Sequence, residues 1–111
     1  MTVRIKKTYR GVNPEMLHDE IRDLAQKEGI LVNEAKVQTY SLPSGSTQSR
    51  VNLVFSTQER QKRCGSAHII GSPTGETKIM IDLDETLLSQ GEITALQENI
   101  NFILGSYELK W

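Results

Sequence analysis

Residues 64–84 read CGSAHIIGSPTGETKIMIDLD, and this stretch decides the fold. Its second half, residues 76–84, alternates polar and apolar side chains with the two-residue period of a strand that has one buried face. Its first half, residues 64–70, is a second run with strand character. Residues 71–75 between them contain Gly and Pro and predict a hairpin turn. The stretch therefore predicts two adjacent antiparallel strands.

Three further strands are predicted before this pair. Residues 50–57 alternate in the same way, and residues 3–9 and 31–40 complete the set. Residues 41–49, rich in Ser, Pro and Gly, predict a flexible loop, and residues 58–63 predict a polar turn. The side chains expected to face the core from the two clearest strands are Val51, Leu53, Phe55, Thr77, Ile79, Ile81 and Leu83.

Two amphipathic helices are predicted, over residues 14–28 and 90–107. Asn13 is a good N-cap, Pro14 suits the first helical position, and Gly29 is placed to end the first helix in a left-handed conformation. The first apolar stripe contains Leu17, Ile21, Leu24 and Ala25. The second contains Ile93, Leu96, Ile100, Ile103, Leu104 and Tyr107.

The predicted order of elements is β-α-β-β-β-β-α. Runs of adjacent strands with few helices indicate an α+β protein with a mostly antiparallel, curved sheet of about five strands. Each helix has a single apolar stripe, so we place both helices on one face of the sheet. The other face is then polar with apolar islands and is open to solvent. We expect residues 1–111 to form a single α+β domain.

Composition limits the classes of partner. The formal net charge is −1, so attraction to nucleic acid or to an anionic membrane would need a local patch. The one cysteine, Cys64, permits no internal disulfide. No apolar run approaches the ~20 residues of a membrane span, and the basic N-terminus lacks the apolar run of a signal peptide. We therefore expect a cytoplasmic protein that does not associate with membranes.

Residues 79–88 read IMIDLDETLL, which resembles the first motif of haloacid-dehalogenase-type phosphatases. In that family an apolar strand ends in D-x-D-x-T. The resemblance implies a doubly wound α/β fold, with Asp82 as the nucleophile, Asp84 as the acid/base and further acids for Mg²⁺. In this chain the motif follows predicted hairpins rather than opening a series of βα units, and a site needs its partners in space. The sequence thus predicts no phosphatase activity.

The side chain of His68 could perform chemistry near neutral pH, but its position depends on the strand register. If residues 71–75 form a five-residue loop, Ile70 opposes Glu76 and His68 lies on the open face. A four-residue loop would bury His68. The first register is favoured because Ala67 and Ile69 then face the core. It groups five side chains on the open face: Cys64, Ser66, His68, Met80 and Asp82.

This group has the composition of a catalytic cluster, but an exposed strand of alternating polar residues has the same composition. A nucleophile also needs a base within ~3 Å and a sheltered pocket, so a solvated face is favoured. No C-x-x-C or H-x-x-x-H spacing occurs, and a metal site is not expected. We predict no catalytic residues and no cofactor, and an enzyme is the less favoured class.

Two surfaces remain as candidates for binding. Arg60, Lys62 and Arg63 form a basic turn that would suit nucleic acid or phosphate, or that keeps a sheet edge soluble. Phe102 lies opposite the stripe of the second helix. The residues proposed to surround it are Ala95, Asn99, Ser106 and Trp111. This second surface favours contact with another protein.

The leading hypothesis is a non-enzymatic domain that acts through surface contacts, as a homodimer or as part of a small assembly. The first alternative is a small-ligand binder or minor enzyme that uses a groove between the sheet and the C-terminal helix. The second alternative is nucleic-acid binding through the basic turn, which the aromatic-poor open face disfavours.

Overall fold

The chain forms one antiparallel sheet and two helices. The computed structural model describes residues 2–41, 43, 45, 47–59, 61–71 and 76–108, and within these ranges it leaves out the side chains of residues 33–37, 40 and 47. The elements are β1 (Thr2–Arg10), α1 (Pro14–Lys27), β2 (Ile30–Ser41), β3 (Thr47–Thr57), β4 (Arg63–Gly71), β5 (Glu76–Asp84) and α2 (Gln90–Leu104). A short 3₁₀ helix, Gly105–Tyr107, follows α2.

The five strands lie in the order β1-β5-β4-β3-β2, and every neighbouring pair is antiparallel. The strands β2 to β5 follow each other along the sheet as they do along the chain, and β1 joins beside β5 at one edge. The buried parts of both helices belong to the same hydrophobic cluster as one face of the sheet. This arrangement confirms the predicted α+β class, the order of elements and the position of the helices.

The signals at both ends of α1 act as the sequence predicts. The Asn13 side chain accepts a hydrogen bond from the backbone N–H of Met16 at 2.8 Å, and Pro14 occupies the first turn. Gly29 has φ = +77°, a left-handed conformation that ends the helix. The buried residues of α1 are the four predicted ones, Leu17, Ile21, Leu24 and Ala25.

The helix α2 begins with a capping box that the sequence prediction overlooked. The Ser89 side chain accepts from the Glu92 N–H at 3.1 Å, and the Glu92 carboxylate accepts from the Ser89 N–H at 3.0 Å. The S-x-x-E signature of this motif stands in the sequence. The buried side chains of α2 are Ile93, Leu96, Ile100 and Leu104.

The prediction that Ile103 and Tyr107 belong to the core is wrong. Their exposed fractions are 42% and 43%. At about 100° per residue, Ile103 lies roughly 80° away from Ile93 and so stands at the edge of the stripe. Tyr107 is the last residue of the 3₁₀ helix that follows α2. A 3₁₀ helix is wound more tightly than an α-helix, so the Tyr107 side chain does not continue the apolar stripe of α2. The apolar surface at the end of α2 is therefore larger than predicted.

The inward-facing positions of β3 and β5 are those that the alternation predicts. Val51, Leu53 and Phe55 are buried, as are Ile79, Ile81 and Leu83. Thr77 is a buried polar residue on this side, and its hydroxyl donates a hydrogen bond to the Val12 carbonyl at 2.5 Å. This bond ties the segment between β1 and α1 to β5. Among the residues described, no helix is long and apolar enough to cross a membrane.

Two details of the strands differ from the prediction. Pairing between β2 and β3 continues to Ser41 and Thr47, so strand pairing reaches into the predicted loop 41–49 from both sides. In β4 and β5, Gly71 opposes Thr77 and His68 opposes Met80, which shifts the predicted register by two residues. A shift of two residues does not by itself move any side chain to the other face. Residues 72–75 of the predicted turn lie outside the described residues.

Candidate functional site

The carboxylates of the D-x-D-x-T stretch have local structural partners. Asp82 accepts a hydrogen bond from Arg4 Nε at 2.8 Å across the β1–β5 pair. Asp84 accepts from the N–H and the hydroxyl of Thr86, at 2.8 and 2.6 Å. These two bonds lower the pKa of the Asp84 carboxyl, chiefly through the hydroxyl. The motif thus forms a strand end and a turn, within an antiparallel sheet rather than the doubly wound fold that the resemblance implies.

The sheet face without helices, here called the open face, carries four of the five predicted side chains. Ser66 opposes Asp82, and His68 opposes Met80. His68 is exposed, Met80 and Asp82 are partly exposed, and Ser66 is only 8% exposed. Arg4 and Lys6 extend the same rows on β1, where they oppose Asp82 and Met80.

The fifth side chain, Cys64, lies in the core and not on the open face. In the β3–β4 pair, Phe55 opposes Gly65 but Ser56 opposes Arg63, so Cys64 is an extra residue in a β-bulge. The bulge turns the thiol to the buried side, where Cys64 is fully buried. Burial raises the pKa of this thiol, and the nearby carboxylates of Glu92 and Asp84 raise it further. Cys64 is thus removed from any chemistry on the open face.

The remaining open-face residues do not form a nucleophile–base arrangement. His68 Nδ1 lies 2.6 Å from Asn52 Oδ1, and because an amide oxygen only accepts, Nδ1 is the donor. The partner of the imidazole is therefore an amide, while Asp82 is bound to Arg4. The described residues also contain no group of three His, Cys, Asp or Glu side chains that could hold a metal ion.

The basic turn is represented by Lys62 and Arg63, whose side chains are both exposed. Arg60 lies outside the described residues. The exposed Lys62 closes the turn with a hydrogen bond from its N–H to Thr57 Oγ1 at 3.2 Å. A cavity of about 490 Å³ beside it is lined by three acids, Glu28, Glu59 and Glu92, as well as by Lys62. Arg50 is seven residues before Thr57 on β3, about 23 Å away along the strand, and cannot extend the turn.

A groove between β1 and α2 matches the position that the sequence suggests for a small ligand. Its volume is about 390 Å³, and its lining residues are Arg4, Ile5, Lys6, Lys7, Gln97, Ile100 and Asn101. Ile5 and Ile100 are buried, so polar side chains form most of the accessible wall. Small-molecule sites are mostly apolar, with a few placed polar groups. This lining is therefore poorly suited to an apolar ligand.

The C-terminal half of α2 presents the most exposed large apolar side chain among the described residues. The Phe102 side chain is 89% exposed, and Ile103 and Tyr107, which follow it along the chain, are 42% and 43% exposed. Ser106 is exposed, whereas Ala95 is partly buried and so offers less area to a contact surface. Asn99 is partly engaged within the fold, because its Nδ2 donates to Glu28 Oε1 at 3.2 Å. Trp111 lies outside the described residues.

Comparison of the chain with protein-family models, with curated protein sequences and with solved structures gave no match.

Proposed function

We propose that this protein is a non-enzymatic interaction domain that self-associates through the C-terminal half of α2. The observation that carries the proposal is the 89% exposure of Phe102. Ile103 and Tyr107 enlarge the exposed apolar area, and these three residues together are called the α2 apolar surface. Exposed large apolar side chains grouped near one end of a helix are a common feature of protein contact sites.

The partner that we propose for the α2 apolar surface is a second copy of this chain. Small soluble proteins associate most often through a two-fold axis, which brings one surface against its own copy. Around Phe102 the neighbouring positions 95 and 106 carry Ala and Ser, which allow a second helix to approach closely. Asn99 is bound to Glu28, the residue that follows α1, and this bond holds α2 in a fixed position relative to the end of α1.

Chemistry on the open face receives less support. His68 is held by Asn52, Asp82 is held by Arg4, and Cys64 lies in the core. These partners leave the described residues without an activated nucleophile. The separation of these side chains is consistent with an interaction domain, because such a domain needs a contact surface and does not need a cluster of reactive groups.

The test is analytical ultracentrifugation of the wild type, Phe102→Asp and Asn101→Asp over a wide range of protein concentration. Burial of one Phe contributes roughly 1.5–3 kcal/mol, so Phe102→Asp should weaken a dimer by about tenfold or more. Asn101→Asp is the matched control, because it adds the same charge at the adjacent exposed position, about 100° around the helix.

The expected result is a dimer for the wild type and for Asn101→Asp, and a folded monomer for Phe102→Asp. Circular dichroism and the unfolding midpoint establish that each variant is folded. A wild-type protein that is monomeric at the highest concentration refutes the proposal, as does equal association of all three proteins.

A further inference from the structure

Met80 lies on the open face in the middle of β5 and has basic side chains on three sides. Lys6 opposes it on β1, His68 opposes it on β4, and Lys78 precedes it by two residues on the same face of β5. The fourth side is Asp82, which Arg4 already binds. Ile70, which opposes Lys78, adds a second partly buried apolar side chain. These five residues, Met80, Ile70, Lys6, Lys78 and His68, are called the Met80 surface.

The positive charge of this surface is not neutralised within the fold. The neighbouring arginines, Arg4 and Arg10, form ion pairs with Asp82 and Glu76. Lys6 and Lys78 lie between these two pairs, are exposed, and make no ion pair or hydrogen bond with another described residue. Two ammonium groups therefore flank an apolar centre without a carboxylate partner from the described part of the chain.

The shape of this region suits a small molecule. A concavity of about 440 Å³ is lined by Lys6, Lys7, Thr8, His68, Ile70, Lys78, Ile79, Met80 and Glu108. The carboxylate in this lining, Glu108, is paired with Lys7 at 2.7 Å. Lys6 and Lys78 stand in diagonal positions on adjacent strands, where Cα atoms are ~7–8 Å apart. Their long side chains can therefore reach one shared anionic group. The flexible thioether of Met80 can adapt to an apolar body of varied shape.

We propose that the Met80 surface binds a small organic anion that has an apolar body, such as an aromatic or aliphatic carboxylate or sulfonate. The anionic group lies between the ammonium groups of Lys6 and Lys78, and the apolar body covers Met80 and Ile70. His68 also lines this concavity, and its ring is held in place by the bond between Nδ1 and Asn52. This site is separate from the α2 apolar surface and goes beyond the proposed self-association.

A compact anion fits this surface better than a nucleic acid. The cationic area is limited in both directions along β1 and β5 by the Arg4–Asp82 and Arg10–Glu76 pairs. Among the described side chains of the open face, none is aromatic, whereas proteins that bind single strands stack several bases on aromatic rings. Charge complementarity therefore extends over one or two anionic groups rather than along a chain of phosphates.

The probe for the test is anilinonaphthalene sulfonate, an aromatic sulfonate whose fluorescence rises in apolar surroundings. Its affinity is measured for the wild type, Lys6→Gln, Lys78→Gln and Lys27→Gln. Loss of one charged contact should weaken binding about tenfold in the first two variants. Lys27→Gln is the matched control, since Lys27 is exposed at the end of α1 on the other side of the sheet.

Two further measurements distinguish this site from the others. Phe102→Asp should retain full affinity for the probe, and amide shifts in the titrated protein should cluster at Lys6, His68, Lys78 and Met80. Equal affinity in all the lysine variants, or loss of binding in Phe102→Asp, overturns the inference. Displacement of the probe by an oligothymidylate, with a steep dependence on salt, also overturns it and favours a nucleic-acid site.

Discussion

Gly29 stands at the end of α1 in a conformation that other residues adopt only with strain. Its φ of +77° belongs to the left-handed region, and the nearest atom that an added Cβ would meet is Gln58 Nε2, at 4.0 Å. Space is therefore available for a methyl group. The position requires glycine because of its backbone conformation alone, which makes it a clean test of how the helix ends.

We expect Gly29→Ala to lower the free energy of unfolding by about 1 kcal/mol, the usual cost of a left-handed residue with a Cβ. Gly105→Ala is the matched control, because Gly105 has a right-handed helical conformation (φ = −60°) and open space around it. That variant should be unchanged or slightly more stable. Urea denaturation measures both. An unaltered midpoint for Gly29→Ala would show that α1 tolerates another ending.

Individual residues also show where prediction from the sequence stops. Asn13, Pro14 and Gly29 are predictable because their roles depend on local chemistry. The burial of Cys64 depends on a bulge, which a rule of strict alternation cannot represent. A signal was present, since Cys64 and Ala67 are both apolar but are separated by an odd number of positions. Such spacing is incompatible with a regular strand in which both face the core.

The strand β5 illustrates how an element divides its residues between two environments. Ile79, Ile81 and Leu83 enter the core, while Lys78, Met80 and Asp82 lie on the open face. The alternation that predicts these faces has a period of two. It therefore does not distinguish between registers that differ by two residues, and this is why the predicted faces of β5 were correct while its predicted pairing with β4 was not.

Two adjacent residues of β5 test this division. Ile81→Ala should lower the free energy of unfolding by about 2–5 kcal/mol, because it opens a cavity in the core. Met80→Ala removes a side chain of similar size from the open face and should cost about 1 kcal/mol or less. Thermal and urea unfolding of the two variants give the comparison. Equal losses would mean that the open face is covered in solution.

At the scale of the whole molecule, the position of β1 depends on contacts that no local pattern reveals. β1 pairs with β5, and Arg4 and Lys6 thereby reach Asp82 and Met80, more than seventy residues away in the chain. The sequence indicates that β1 is a strand with one apolar face. It does not indicate which sheet edge receives that strand, so the three basic neighbours of Met80 could not be grouped beforehand.

The reactivity of the buried bulge residue Cys64 can be used to measure how often the sheet opens. Because Cys64 is the one cysteine of the chain and is inaccessible, a thiol reagent can reach it only when β4 separates from its neighbours. We expect labelling of the native protein to be at least about a thousandfold slower than labelling in urea. Rapid labelling without denaturant would contradict the buried position.

The ratio of these two rates has a meaning beyond the thiol itself. If it equals the equilibrium constant for complete unfolding, the centre of the sheet opens only with the whole fold. If labelling is faster than complete unfolding allows, the sheet opens locally at the bulge, and the labelling rate gives the free energy of that local opening. The one-residue bulge in β4 therefore provides a way to measure how cooperatively this domain unfolds.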